Sequence, residues 1–402
     1  MSTEIKLPPP LMTSEPDSYA RYTIVTRKPQ IIQQVLKDQN YPVEIVSAVN
    51  AFRDEIATAP IRPLAPVGPE RGSLSKDVGF WNACWREFEG RTWLEIPWFF
   101  AETYFYRRLL EAVRYFEPGP LQGIDPFGPQ KLRQIQSDVQ SFSKNWDQFQ
   151  GLEPDAEFER LFHSSLWGNR TDLSNLNITV KSTGGSAVEN ERRLILIDHT
   201  AQVRSLLKKR VGRIDIVTDN AGIDTIFDLA LSDFLLRRGW VQQVVLRLKN
   251  QPYFVSDAMP VDIETTIRLL RQSPQPAVAQ FGGRLAAAIA LGTLELTTDP
   301  FWTTCLGFYR MPADLHNQLA GADLVILKGD VNYRRMLDDR HWPAITRFED
   351  VTPFFPRPYV HLRTLKSEIM IGLQPGEAEA LAREDPEWLV DGKRGLIHLV
   401  AE

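Results

Sequence analysis

From about residue 28 to 170, apolar side chains recur at the three- and four-residue spacing of a buried helix face. The segments IIQQVLKDQ, WLEIPWFFAETYFYRRLLEAVRYF and FERLFHSSLW show it, with Pro- and Gly-bearing breaks between them. This half is expected to be helical. Beyond it the period changes, and short β-branched runs appear: RLILID at 193–198, RIDIVTD at 213–219, VVLRLK at 244–249, ADLVILKGD at 322–330 and EIMIGL at 368–373. Amphipathic helical segments lie between these runs. Strands alternating with helices require a mostly parallel sheet covered on both faces, because parallel neighbours are joined only by a crossover. The pattern predicts a doubly wound α/β domain.

At 402 residues the chain is too long for one ordinary core. Residues 1–20, rich in Pro and Ser and without an apolar period, read as a surface tail. A helical domain is expected over 21–180 and the α/β domain over 181–402. The polar, Gly-containing stretch TDLSNLNITVKSTGGSAVEN lies at the boundary, as a linker or an active-site loop. The Trp and Phe residues around 81–105 are expected to pack between helices.

Hydrophobic residues at 43% and charged ones at 24% are ordinary for a globular protein. A net charge of -5 gives no broad basic surface, which argues against nucleic acid as a partner but leaves room for a few local cations around one phosphate. Two cysteines, Cys84 and Cys305, stand too far apart in sequence to read as a metal or redox pair, and the six histidines show no H-x-x-x-H spacing. With no signal-like start and no apolar run of membrane-spanning length, a reducing, cytoplasmic setting without membrane contact is expected. Nothing in the chain sets an oligomeric state.

In open α/β sheets ligands bind beyond the carboxyl ends of the strands, so polar residues ending a strand run come first. Asp219-Asn220-Ala221-Gly222 follows RIDIVT and precedes a helical segment, and Ser256-Asp257 follows the next run. Adjacent parallel strands would bring Asp257 near Asp219. Two carboxylates and one amide oxygen, without Cys or clustered His, make a hard oxygen set suited to Mg²⁺ or Mn²⁺. A third run ends in Lys328-Gly329-Asp330, followed by Asn332 and Arg334. There the glycine allows close backbone approach, and a helix starting at Asp330 would aim N–H groups at an anion. Arg363 and Lys366, read as preceding the strand EIMIGL, could add cations to the same phosphate. Taken singly, each of these strings also occurs as an ordinary cap or turn.

Together they resemble the damage-control phosphatase family, once catalogued as a domain of unknown function, and within it the subfamily marked by an Arg-Thr-x-Lys motif. The resemblance runs through PWFFAETYFYRRLL (97–110), DPFGPQK (125–131), LWGNRTDLS (166–174), TDNAGIDTIFDLALSDFLL (218–236), YFVSDA (253–258), KGDVNYRRMLDDRHWP (328–343) and RTLKSE (363–368). It implies a helical N-terminal part on a Rossmann-like three-layer α/β/α part. It also implies a divalent metal on Asp219, Asn220 and Asp257, and the motif's Lys366 on phosphate. Members hydrolyse reactive or misplaced sugar phosphates, fructose 1-phosphate among them. Glu102 and Asn169 match strings that approach the site in the family, although Glu102 is also placed to pair with Arg107 or Arg108. The chain departs from the familiar pattern at Asp224, in place of an aromatic-plus-Glu pairing, and at Ala258.

The expected activity is metal-dependent phosphomonoester hydrolysis of a small phosphorylated metabolite, with Mn²⁺, Co²⁺, Ni²⁺ or Mg²⁺ as cofactor and water as nucleophile. Asp219, Asp257 and Lys366 form the expected catalytic set. Relatives have also been labelled carboxyl methyltransferases, so S-adenosylmethionine-dependent methyl transfer is one alternative. The missing Gly-rich loop after the first strands argues against it. The other alternative is a non-catalytic sugar-phosphate binder.

Overall fold

The computed structural model describes residues 7–65, 77–168 and 192–401. Its second half is built on a seven-stranded sheet in the order β1-β7-β6-β5-β2-β3-β4. The strands are β1 Ile195–Asp198, β2 Val211–Val217, β3 Val241–Leu248, β4 Leu294–Thr298, β5 Leu324–Lys328, β6 Tyr359–Thr364 and β7 Gly395–Val400. All neighbours are parallel except β6 and β7. Helices on both faces complete the α/β/α layering, as the alternating pattern predicted.

The period-two alternation shows directly in the core. Ile214, Ile216, Leu324 and Ile326 point to one face, packed with helices Gly128–Asn145, Pro154–Trp167, Ile223–Arg237 and Pro260–Arg271. Val217, Val325 and Leu327 point to the other, against Trp98, Trp302, Leu319 and Tyr333. A third cluster joins the helices Lys28–Asp38, Val43–Thr58 and Trp98–Ala112 through Ile32, Val49, Phe52, Trp93 and Phe105. The aromatic wealth near 81–105 is indeed core, with Trp81 and Trp93 almost fully buried.

Several local expectations are corrected. EIMIGL is not a strand. Its apolar residues Ile369, Met370, Ile371 and Leu373 are buried, but its backbone bonds to a neighbouring loop and to a side chain, with Gly372 N–H donating to Thr346 O and Ile371 N–H to Tyr333 Oη. The place beside β5 belongs to β6, so Arg363 and Thr364 end a strand instead of preceding one. A short apolar run satisfies burial equally well as strand or coil, which is why periodicity alone did not separate the two. Cys84 and Cys305, distant in sequence, come together in the fold, where a hydrogen bond between the thiols lowers the Cys84 pKa. Both cysteines are free.

Candidate active site

The carboxyl ends of β2, β3 and β5 lie side by side, with Val217 level with both Arg247 and Leu327. Just past these ends, two short segments clasp each other. Asn220 and Asp257 form an isolated antiparallel bridge, Ala221 N–H donates to Ser256 O at 2.6 Å, and Ala258 N–H donates to Asp219 O at 2.9 Å. This clasp puts Asp219, Asn220 and Asp257 on one wall of a cavity of about 790 Å³.

Gly329, which opens the helix Gly329–Met336 after β5, has φ +81°. A Cβ there would collide with the Asp219 carboxylate, so only glycine lets the helix start press against that side chain. Asn220 Nδ2 donates to Asp219 Oδ2 and to Asp224 Oδ2, each at 2.9 Å, and Asn220 Oδ1 accepts from Ser256 Oγ at 2.5 Å. Lys249, one residue past β3, pairs with Asp257 Oδ2 at 3.1 Å and donates to Thr218 O.

The wall is rich in negative charge. Burial, followed by repulsion from Asp224 and Asp257, holds the Asp219 carboxyl far above its ordinary range. Burial pushes Asp224 up to about 6 and also raises Asp257. Ionising all of them together is unfavourable unless a cation joins them.

The same cavity is also lined by cations. Arg334 is fully buried, its guanidinium lying 3.4 Å over the Trp98 ring, with Nε bonded to Asp339. Its two terminal nitrogens have no hydrogen-bond partner among the described residues and only a 3.9 Å approach to Asp330. Arg334, Asp330 and Lys366 all line the cavity. Burial lowers the Lys366 pKa while Asp224 and Asp219 hold it up, so the ammonium stands within electrostatic reach of the acid wall.

Three of the expected contacts lie behind this wall instead of in it. Lys328 Nζ bonds to Ser165 O, Ser165 Oγ and Asp228 Oδ1, tying two helices together. Arg363 is buried under Tyr333, donating to Asp330 Oδ1 at 2.7 Å and to Ile369 O, and so holds Asp330 in place. Asn332 Nδ2 donates to Lys328 O at 2.7 Å inside the fold. Glu102 lines the cavity, while Asn169 lies outside the described residues. Arg107 and Arg108 pair with Asp77 and Glu55, leaving Glu102 to the ion pair it forms with Lys28.

The profile of the damage-control phosphatase ARMT1-like domain matches residues 23–381. The chain belongs to this family. It is 30% identical to damage-control phosphatase ARMT1 of Danio rerio, across 99% of this chain and 98% of that one. Against the Homo sapiens protein of the same name it is 29% identical, covering 97% and 98%. A crystal structure of a DUF89 family protein from Pyrococcus horikoshii aligns over 94% of this chain and 98% of the other at 14% identity, with a TM-score of 0.48.

For a member of a phosphatase family, the acid wall offers a test of metal fit. Among the described residues, no three His, Cys, Asp or Glu side chains are gathered closely enough to hold an ion by themselves. The amide of Asn220 would therefore have to complete the set. Its oxygen now accepts from Ser256, but turning the amide over would direct Oδ1 toward Asp219 while Nδ2 met Ser256 Oγ. With the accumulated charge of Asp219, Asp224 and Asp257, this donor set fits a hard divalent cation.

Several residues at the site escaped the sequence reading. Lys249, which pairs with Asp257 from outside the cavity lining, carried a usable signal, since it follows a strand end as Asp219 does. Asp224 sits in the first turn of the helix after Gly222, and in the sequence it stands out only as a departure from the family pattern. Tyr19, Arg27, Gln30 and Gln34 line the cavity from the helical stretch Tyr19–Asp38, where Arg27 donates to Tyr19 Oη at 2.7 Å. No local sequence feature marks them, because packing of the N-terminal helices alone brings that face over the sheet.

Proposed function

We propose that this protein hydrolyses small sugar phosphates such as fructose 1-phosphate in the cytoplasm, using a divalent metal at Asp219, Asn220 and Asp257. One observation carries the reading: a single cavity is lined both by buried acids and by a buried arginine whose two terminal nitrogens lack hydrogen-bond partners among the described residues. A guanidinium fork of this kind matches two oxygens of a phosphoryl group, and the acid wall matches a cation.

A bound ion would polarise the phosphoryl group and lower the pKa of water. The remaining work belongs to the protein's own side chains. Arg334 and Lys366 hold the phosphoryl oxygens, and the N–H groups opening Gly329–Met336 add dipoles that strengthen as equatorial charge grows. Arg363 fixes Asp330, and Asp330 in turn limits how far Arg334 can swing. Lys249 orients Asp257. We assign water as the attacking group.

The test is phosphate release from a panel of sugar phosphates after chelation and after return of Mn²⁺, Co²⁺, Ni²⁺ or Mg²⁺. Chelation should abolish turnover and at least one ion should restore it. Asp219→Ala and Asp257→Ala should stay folded and lose the metal-stimulated release; unchanged turnover in either variant defeats the assignment.

A further inference from the structure

We propose that Lys28 is a positioning residue that holds Glu102 in place at the cavity lining, so that Glu102 accepts a hydrogen bond from one hydroxyl group on the leaving part of the substrate. The inference rests on the phosphatase reading and adds to it the chemical group that is recognised.

Lys28 is fully buried, and its Nζ lies 4.5 Å from the ring centroids of both Phe105 and Tyr106. That ammonium pairs with Glu102 Oε1. Glu102 is itself only 5% exposed, and its second oxygen, Oε2, has no hydrogen-bond partner among the described residues. Glu102 and Tyr106 line the cavity, whereas Lys28 stands behind them.

A buried acceptor without a donor is costly, so the cavity has to supply one. Phosphate is excluded as the partner of Oε2, since two anions would repel. A ligand ammonium would meet Lys28 and also Arg27, both within electrostatic reach of Glu102. A neutral O–H donor remains, and sugar phosphates carry several. Lys28 caps the π-helical stretch Thr23–Arg27, its N–H donating to Thr23 O, and of these consecutive residues Arg27 lines the cavity while Lys28 lies beneath it.

The experiment measures kcat/KM for fructose 1-phosphate and for each of its monodeoxy analogues, with Mn²⁺, in the full-length wild type, Lys28→Met, Glu102→Gln and the double variant. In the wild type one analogue should fall roughly 10- to 100-fold below the parent, the loss expected for one hydrogen bond to a charged group. In Lys28→Met and Glu102→Gln that preference should shrink to within about threefold, mainly through KM of the parent, and the double variant should be no worse than either single one. Lys28→Arg, which keeps the charge, should restore part of the preference.

A wild type that treats all analogues alike overturns the proposal while leaving the phosphatase reading intact. So does a Lys28→Met protein that slows on every substrate equally and keeps its preference. If Lys28→Met fails to fold, the double variant, near in shape and without the buried charges, decides the matter: preference retained there overturns the inference. Absence of metal-stimulated turnover on any substrate in the wild type is a different result, and removes the phosphatase reading together with this one.

Discussion

Arg334 sits over the Trp98 ring, with its guanidinium carbon 3.4 Å from the ring centroid, and Trp98 in turn donates from Nε1 to Thr23 Oγ1 at 2.7 Å. The stack fixes the plane of the guanidinium before any ligand arrives, so little rotamer freedom is lost on binding. Arg334→Lys keeps the charge but loses both the fork and the stack. Turnover on sugar phosphates should fall about 10- to 100-fold, the scale of one charge-assisted contact, with the fold retained by circular dichroism. Wild-type kcat/KM in that variant would refute the role given to the fork.

Asp219 presents a second measurable relation between charge and stability. Its raised pKa means that burial, then Asp224 and Asp257, disfavour the carboxylate in the metal-free fold. Asp219→Asn removes that disfavoured charge while keeping the shape. The metal-free variant should melt at or above the wild-type temperature, and the rise in Tm that Mn²⁺ gives the wild type should disappear. Thermal scans with and without Mn²⁺ check both halves, and a persistent metal-induced rise would count against ligation by Asp219.

Gly329→Ala should damage the site from the backbone side. The residue would need φ +81°, costing about 1 kcal/mol for an L side chain, and its methyl group would displace the Asp219 carboxylate. Metal-stimulated turnover should drop by at least about tenfold, more than so small a loss of stability explains. Parallel activity and unfolding curves separate the two effects.

His398 gives a pH prediction away from the site. Burial lowers its pKa from 6.5 to about 3, and it packs against Phe348 at 4.5 Å between ring centroids. Because the folded pKa is depressed, the unfolded chain binds the proton first. Its stabilising share is whole above about pH 6.5 and is lost progressively as pH falls toward 3. Between pH 7 and pH 5 the loss from this group approaches about 2 kcal/mol. His398→Gln, which does not titrate, should show a correspondingly flatter decline in urea unfolding over that interval. An unchanged slope would show that His398 does not set it.

The alternation of β-branched runs with helical segments was enough to call for a mostly parallel, two-sided sheet, since short-range periodicity reports which face each residue buries. One strand-end carboxylate was legible for the same reason: RIDIVT had to end somewhere, and Asp219 stands just past that end, whereas Asp257 lies nine residues beyond Leu248 and is brought back by the bridge with Asn220. Local pattern does not mark the strands β4, β6 and β7, and it favours a strand at EIMIGL where none forms, because the place of each segment in the sheet is settled by neighbours far away in the chain.

By itself, then, the chain's order of residues determined the layer architecture, the helical first half and the oxygen-bearing pair Asp219-Asn220 past a strand terminus, all properties set within a few residues of one another. Only the tertiary structure decided that Lys328, Arg363 and Asn332 stand behind the cavity while Arg334 lines it. It alone decided, too, that Lys28 meets Glu102. Those outcomes depend on side-chain direction and on contacts between segments far apart in the chain, where the free energy of burying or pairing a charge is settled by neighbours that no local pattern names.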